Sequence, residues 1–180
     1  MIWFMVPVSV VIINDIAAYA CGMAFGRHQL IKLSPKKTVE GYVGAFPITI
    51  LFSIIWGTWL MRYNYMICPV RDLATNVFSE IECTPNHVFM WRELALPTSV
   101  INVIGTITGQ HIESLPWAPF QLHCVVHAIF ASLVAPFGGF FASGFKRAFG
   151  IKDFGDSIPG HGGMTDRMDC QFLMGLFAYV

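Results

Sequence analysis

The sequence predicts an all-α, polytopic membrane protein. It reads as a helical bundle of about four membrane-spanning segments, the first and last incomplete, around a polar cavity at one membrane face. Three observations carry that expectation. Of 180 residues, 55% are hydrophobic and 12% charged, against ~25% charged in a soluble domain, and the mean hydropathy is +0.59. The apolar residues gather into runs long enough for a bilayer crossing of ~20 residues. Between two of these runs lies the stretch 143–169, SGFKRAFGIKDFGDSIPGHGGMTDRMD, with four basic residues, four aspartates, one histidine and six glycines. Ionisable groups so dense beside a membrane segment are costly and mark a site.

Residues 1–26 form the first span, with Asn14 and Asp15 near its middle. Asp15, Tyr19, Gly22 and Gly26 fall on one helical face, and small residues four apart let another helix approach. An unpaired aspartate in lipid is expensive, so Asp15, with Asn14 and Tyr19, is read as lining a polar cavity. Residues 27–44 are a polar connector in which Ser34, Pro35, Lys36, Lys37 and Thr38 place two hydroxyls and two ammonium groups side by side. Pro35 favours a turn or a helix start, and Thr38 is a candidate cap. A basic cluster beside a span is, by itself, most often a topology signal or an attraction to anionic lipid.

Residues 42–61 are a clean second span with Trp56 and Trp59 at its far end, where aromatic belts sit. Residues 62–120 read as an extramembrane loop insert with short helices, re-entrant in part. The third span, residues 121–142, carries His123 and His127 one turn apart without an acidic partner, so packing is the better reading for both. Pro136, Gly138 and Gly139 predict a break in it. Residues 170–180 stop halfway through a fourth span, and Met1 opens directly into an apolar run without signal-peptide features. The chain is therefore expected to be one membrane-embedded domain, residues 1–180, forming the C-terminal part of a larger protein.

Residues 27–41 and 143–169 hold four basic residues each, and the longer 62–120 holds three. The positive-inside rule then places the first two on the cytoplasmic face and the third on the far side. Net charge is zero, which predicts no nucleic-acid partner. Five cysteines without CxxC spacing exclude the common zinc and redox motifs.

Asp166 and Asp169 are three apart at the predicted start of the last helix, and both project from its first turn. Asp153, in a glycine-flanked loop, is free to fold toward them. Hard oxygen donors suit Mg²⁺, which takes one or two carboxylates plus phosphate oxygens. Gly160, Gly162 and Gly163 around His161 let backbone amides approach phosphate, and Lys146, Arg147, Lys152 and Arg167 supply positive charge. No Gly-Lys-Ser/Thr follows these glycines, which excludes a Walker A loop.

Ser143-x-x-Lys146-Arg147, Lys152-Asp153-x-Gly155 and Pro159-x-His161-Gly162-Gly163-x-x-Asp166-Arg167-x-Asp169 together resemble the signature of the CDP-diacylglycerol synthases (phosphatidate cytidylyltransferases). The blocks Asn14-Asp15, Ala18-Tyr19, Phe25-Gly26 and SPKKT-x-Glu40-Gly41 are similar to that family too. The length of residues 62–120 looks like its eukaryotic, endoplasmic-reticulum branch. The resemblance implies transfer of CMP from CTP to phosphatidate at an active site facing the cytoplasm, giving CDP-diacylglycerol for phosphatidylinositol, phosphatidylglycerol and cardiolipin synthesis. It implies Mg²⁺ at Asp153, Asp166 and Asp169, with Lys37 acting beside them. Ser34, Lys36, Lys37, Thr38, Lys146, Arg147, Lys152, His161, Gly162, Gly163 and Arg167 would bind substrate. A monovalent cation beside Mg²⁺ and a homodimeric state are left open. The rival readings are a CTP-dependent lipid-alcohol kinase of the dolichol kinase type and a non-catalytic truncated form.

Cys68 and Cys83 both fall in the far-side segment, which is oxidising in that branch, and are expected to pair rather than remain two buried thiols. Cys21, Cys124 and Cys170 lie in or beside spans and are expected to stay free.

Overall fold

The computed structural model describes residues 1–31, 34–69, 81, 83–97, 101, 106, 114–151, 153–155 and 163–180; of residues 31, 34–36 and 167 it describes the backbone alone. The described residues are mostly helical. Helix α1 (Ile2–Phe25) is followed by a ribbon of β1 (Gln29–Ile31) and β2 (Ser34–Thr38), then α2 (Val39–Leu60) and a single turn, α3 (Asn64–Ile67). Strands β3 (Arg92–Ala95) and β4 (Ser114–Trp117) form a second ribbon, and α4 (Pro119–Leu133), α5 (Pro136–Ala148) and α6 (Thr165–Tyr179) complete the chain.

Three helical stretches are long and apolar enough to cross a membrane: α1, α2 and Pro119–Ala148, which joins α4 to α5. Helix α6, read from the sequence as the start of a fourth span, has 15 residues, about 22 Å at 1.5 Å per residue. It is not among the candidate crossings.

Helix α2 is the hub, packed against α1 on one side and α4 on the other, while α1 also meets α6 and α5 meets α6. Its buried positions, Gly41, Ala45, Thr49, Ser53 and Gly57, recur every fourth residue, a ridge of small side chains that brings backbones together. A Cβ on Gly41 would stand 3.0 Å from the Gly22 Cα, so the small-residue face expected on α1 meets a matching face on α2. The polar members of the ridge are satisfied locally, as backbone and hydroxyl groups away from water must be. Thr49 Oγ1 donates to the Ala45 carbonyl at 2.8 Å and lies 3.1 Å from Asn14 Oδ1, and Ser53 Oγ donates to the Cys124 carbonyl at 2.8 Å. Ile2, Val6 and Val10 of α1 complete the core with Leu60, Phe120, Ala128 and Met174.

The expected break falls between α4 and α5. Pro136 has no N–H, and the chain turns through Val134 and Ala135, with Ala135 N reaching back to the Phe130 carbonyl at 3.0 Å and Phe137 N bonding Val134 O at 3.0 Å. The Leu133 carbonyl accepts instead from the Tyr42 hydroxyl of α2, at 2.9 Å.

Two features depart from the all-helical expectation. Pro35 sits in a strand rather than a turn or helix start, and β1 pairs antiparallel with β2, Gln29 opposite Thr38. The described part of residues 62–120 holds a second antiparallel ribbon, Arg92–Ala95 against Ser114–Trp117, beside short turns. In the same segment Cys68 and Cys83 form a disulfide, while Cys21, Cys124 and Cys170 are free, as expected. His123 and His127 are packed as expected: the Trp3 ring meets His123 edge-on at 5.3 Å, and His127 Nδ1 lies 2.7 Å from the His123 carbonyl.

Candidate functional site

The polar segments flanking α1–α2 and α5–α6 meet in one cavity of about 360 Å³, within the ~300–1,000 Å³ usual for small-molecule sites. Four helices and one ribbon build it. Helix α1 supplies Asn14, Asp15 and Tyr19, the ribbon supplies Lys37 and Thr38, α2 supplies Tyr42, α5 supplies Ser143 and Lys146, and α6 supplies Asp166 and Asp169. The described parts of residues 27–41 and 143–169 therefore lie at the same end of the bundle, as their shared charge asymmetry anticipates.

Each charged group is held differently. Thr38 caps α2, its hydroxyl accepting from Gly41 N at 3.2 Å. That hydroxyl is bedded among glycines: a Cβ at Gly22, Gly26 or Gly41 would stand 2.9 to 3.0 Å from it. Its fixed hydroxyl stiffens the root from which Lys37 projects. Lys37 Nζ stands 4.6 Å from the centre of the Phe140 ring, in cation–π range, and among the described residues it makes no ion pair. Asp15 and Asp169 line the same cavity as Lys37.

Asp166 is the most committed carboxylate. Oδ1 accepts from Lys146 Nζ at 2.6 Å, and Oδ2 accepts from the backbone amides of Phe154 at 2.8 Å and Gly163 at 3.1 Å. Its side chain is 6% exposed. Burial pushes its carboxyl up, but Lys146 and the two amides outweigh burial and hold it below the ordinary carboxylate value. The Gly163 amide, expected to face phosphate, is thus occupied by Asp166.

Asp169 is placed by a seam of glycines. A Cβ on Gly138 would come within 2.6 Å of the Asp169 carbonyl, so α5 and α6 touch backbone to backbone there. One residue on, a Cβ on Gly139 would lie 3.2 Å from Asp169 Oδ2 and 3.4 Å from both Lys37 Nζ and Cys170 Sγ. The bare backbone of Gly139 leaves room for the carboxylate, the ammonium and the thiol on one side of α5.

Other expected site residues are placed elsewhere. Asp153 and Arg147 are exposed and do not line the cavity. Lys152, His161 and Gly162 lie outside the described residues, as do the side chains of Ser34, Lys36 and Arg167. Among the described residues no three His, Cys, Asp or Glu side chains converge as a metal cluster, so Asp153, Asp166 and Asp169 are not gathered as a triad. Asp15 and Asp169 instead face the cavity without an ion pair among the described residues. Sequence reasoning passed over Tyr42, Phe140 and Ser143, which also line it. Ser143 opens the signature stretch, which was a usable signal. Tyr42 and Phe140 look like ordinary span residues, and only their tertiary neighbours reveal them.

Comparison with known proteins adds a family. A family model described as the cytidylyltransferase family matches residues 1–180. The chain is 52% identical to the phosphatidate cytidylyltransferase of Saccharomyces cerevisiae, over 98% of its own length and 37% of that protein. It is 50% identical to phosphatidate cytidylyltransferase 1 of Homo sapiens, over 100% and 38% respectively. With phosphatidate cytidylyltransferase 1 of Arabidopsis thaliana it shares 49%, over 99% of this chain and 40% of the other. The chain thus spans 37–40% of the length of these relatives.

Proposed function

Because the chain belongs to the cytidylyltransferase family, we propose that it transfers CMP from CTP to phosphatidate at the cavity between α1, α5 and α6. A phosphate oxygen of phosphatidate forms the new bond to the α-phosphorus of CTP, the bond from that phosphorus to the bridging oxygen breaks, and pyrophosphate leaves with the electron pair. The products are CDP-diacylglycerol and pyrophosphate. A phosphomonoester with a second pKa of about 6 is already largely anionic near neutral pH. General-base help is then dispensable, and the demand falls on alignment and charge neutralisation.

The observation that carries this reading is that Lys37 and Asp169 line one cavity and both reach within 3.4 Å of the Cβ position of Gly139. Lys37 would neutralise a phosphate from the ribbon side and Lys146, locked to Asp166, from the helix side. The two oxygen-only carboxylates Asp15 and Asp169, which line the cavity without an ion pair among the described residues, would suit Mg²⁺, which takes one or two carboxylates plus phosphate oxygens. Asp153, exposed on its loop, is the member of the expected set that this geometry supports least. When bound, the cation would offset negative charge on the nucleotide phosphates. The three apolar helices fit an integral membrane protein whose lipid substrate keeps its acyl chains in the bilayer. The basic ribbon and the stretch after α5 would then face the cytoplasm, in the endoplasmic reticulum.

The test is to supply the protein, purified from its native membrane, with phosphatidate and CTP labelled at either the α- or the γ-phosphorus. Label from the α-position should appear in lipid and label from the γ-position in pyrophosphate. Transfer of γ-label to a lipid would show a kinase and reject the reading.

A further inference from the structure

We propose that Glu40 is a positioning residue that sets where Lys37 stands in the cavity. Glu40 does not itself line the cavity. It closes the root of the ribbon that carries Lys37. Its Oε2 accepts from the backbone amides of Arg27 at 3.1 Å and His28 at 3.2 Å, and its Oε1 lies 2.6 Å from His28 Nδ1. Beside it, Val39 N donates to the His28 carbonyl at 3.0 Å. One carboxylate therefore ties the exit of α1 to the first turn of α2, the two ends between which the ribbon is suspended.

Besides this clamp the ribbon is held by the Thr38 cap, next to Lys37, and by the packing of β2 on α1 and α2, but its own strand pairing is weak. It is two-stranded, and its pairing shifts between Gln29 and Ile31; such isolated hairpins are marginal alone. Lys37 lies three residues from Glu40, and its ammonium is steered by the Phe140 ring rather than by an ion pair among the described residues. A long flexible side chain with one soft contact stands wherever its backbone puts it. The His28 half of the clamp is open to solvent, its side chain 78% exposed against 27% for Glu40. An exposed pair contributes little to global stability, so its effect should be felt in placement rather than in folding. The blander role for Glu40 is a negative charge at a helix N-terminus, which would act on stability and would be lost equally in Gln and Ala variants.

The experiment compares Glu40→Ala, Glu40→Gln, Lys37→Ala and the double variant Glu40→Ala/Lys37→Ala in the full protein. Glu40→Ala should raise KM for whichever substrate Lys37→Ala affects, by about tenfold, the loss of one charge-assisted contact. Glu40→Gln keeps an acceptor for the amides and a hydrogen-bonding partner for His28, and should restore near-normal KM. The double variant should be no worse than Lys37→Ala alone. A Gln variant as impaired as Ala, or effects that multiply in the double variant, would overturn the inference. A second readout needs no substrate: acetylation of the Lys37 amine by acetic anhydride, followed by peptide mapping, with Lys146 as the internal reference. Glu40→Ala should speed labelling of Lys37 several-fold while Lys146 is unchanged; an unaltered Lys37 rate also overturns it. The inference rests on the proposed function only for what Lys37 touches, so a failed CMP transfer would reject that function and leave Glu40 to be decided by labelling.

Discussion

Gly138 and Gly139 are adjacent in sequence yet should fail in opposite ways when each is changed to alanine. At Gly138 the new Cβ would stand 2.6 Å from the Asp169 carbonyl, where ordinary contact begins at 3.4 Å. A backbone oxygen cannot swing aside, so α5 and α6 must part by ~0.8 Å, and overpacking of this kind costs about 1–3 kcal/mol. Alanine recovers about 0.5–1 kcal/mol of helix propensity, leaving a net loss centred on ~1 kcal/mol and at most ~2.5 kcal/mol. At Gly139 the nearest atoms are side-chain ends at 3.2 and 3.4 Å, namely Asp169 Oδ2, Cys170 Sγ and Lys37 Nζ. They can yield a few tenths of an ångström, so folding should be unharmed or slightly favoured. Catalysis should not be, because displacement of groups at a reacting centre by ~1 Å is worth about 100-fold, and a fraction of that shift about tenfold. Thermal midpoints in detergent, read by loss of the monodisperse peak, give the stability arm, and CDP-diacylglycerol formation gives the activity arm. Wild-type kinetics in Gly139→Ala would refute the placement of the reaction at the Lys37–Asp169 gap, and an unchanged midpoint in Gly138→Ala would refute the tight seam.

Three further outcomes are expected. Asp169→Asn should raise the Mg²⁺ concentration needed for half-maximal activity by about tenfold or more, as loss of a charged oxygen donor would; an unchanged Mg²⁺ requirement would remove Asp169 from the cation site. Asp166 has its folded-state pKa lowered, so its stabilising contribution is fully present above the unfolded-state pKa and is lost as pH falls through the folded one. The midpoint difference between wild type and Asp166→Asn should accordingly be constant at neutral pH and shrink only below the ordinary carboxylate range. Joining Cys68 to Cys83 closes a loop with a sequence separation of 15, worth about 3 kcal/mol in the chain-entropy model. Non-reducing peptide mapping should find the bridge, and Cys68→Ser/Cys83→Ser should lower the midpoint while leaving KM for CTP in place.

Much of this arrangement was written in local pattern. The spans are long apolar runs, Pro136 breaks its helix because proline lacks the donor, and Asp166 and Asp169 fall on one side of the first turn of α6, facing the cavity. What escaped was set by distant partners. SPKKT becomes a strand because Gln29 and Ile31 lie opposite Thr38 and Ser34, and a proline-containing run of five polar residues carries no alternation to announce that. Gly138 and Gly139 read as helix breakers, yet their role is to admit Asp169, about thirty residues away, which no local window contains. Gly163 looked like a phosphate-facing amide because glycine beside histidine and glycine suggests a cradle. Its amide is claimed by Asp166, three residues on.

The close approach of α2 and α4 at Gly57 has a practical consequence. The Cys124 sulfur occupies the space that a Cβ on Gly57 would need, and the thiol is wholly buried. Cys170, also free and itself buried at 5% exposure, is reached only from the cavity it borders. A small thiol reagent should therefore find Cys170 whenever the cavity is open to it, and Cys124 only when the bundle itself has come apart. With the half-buried Cys21 as the readily labelled reference, the chain carries three built-in chemical probes, and nucleotide protection at Cys170 can be separated from unfolding at Cys124 in one digest.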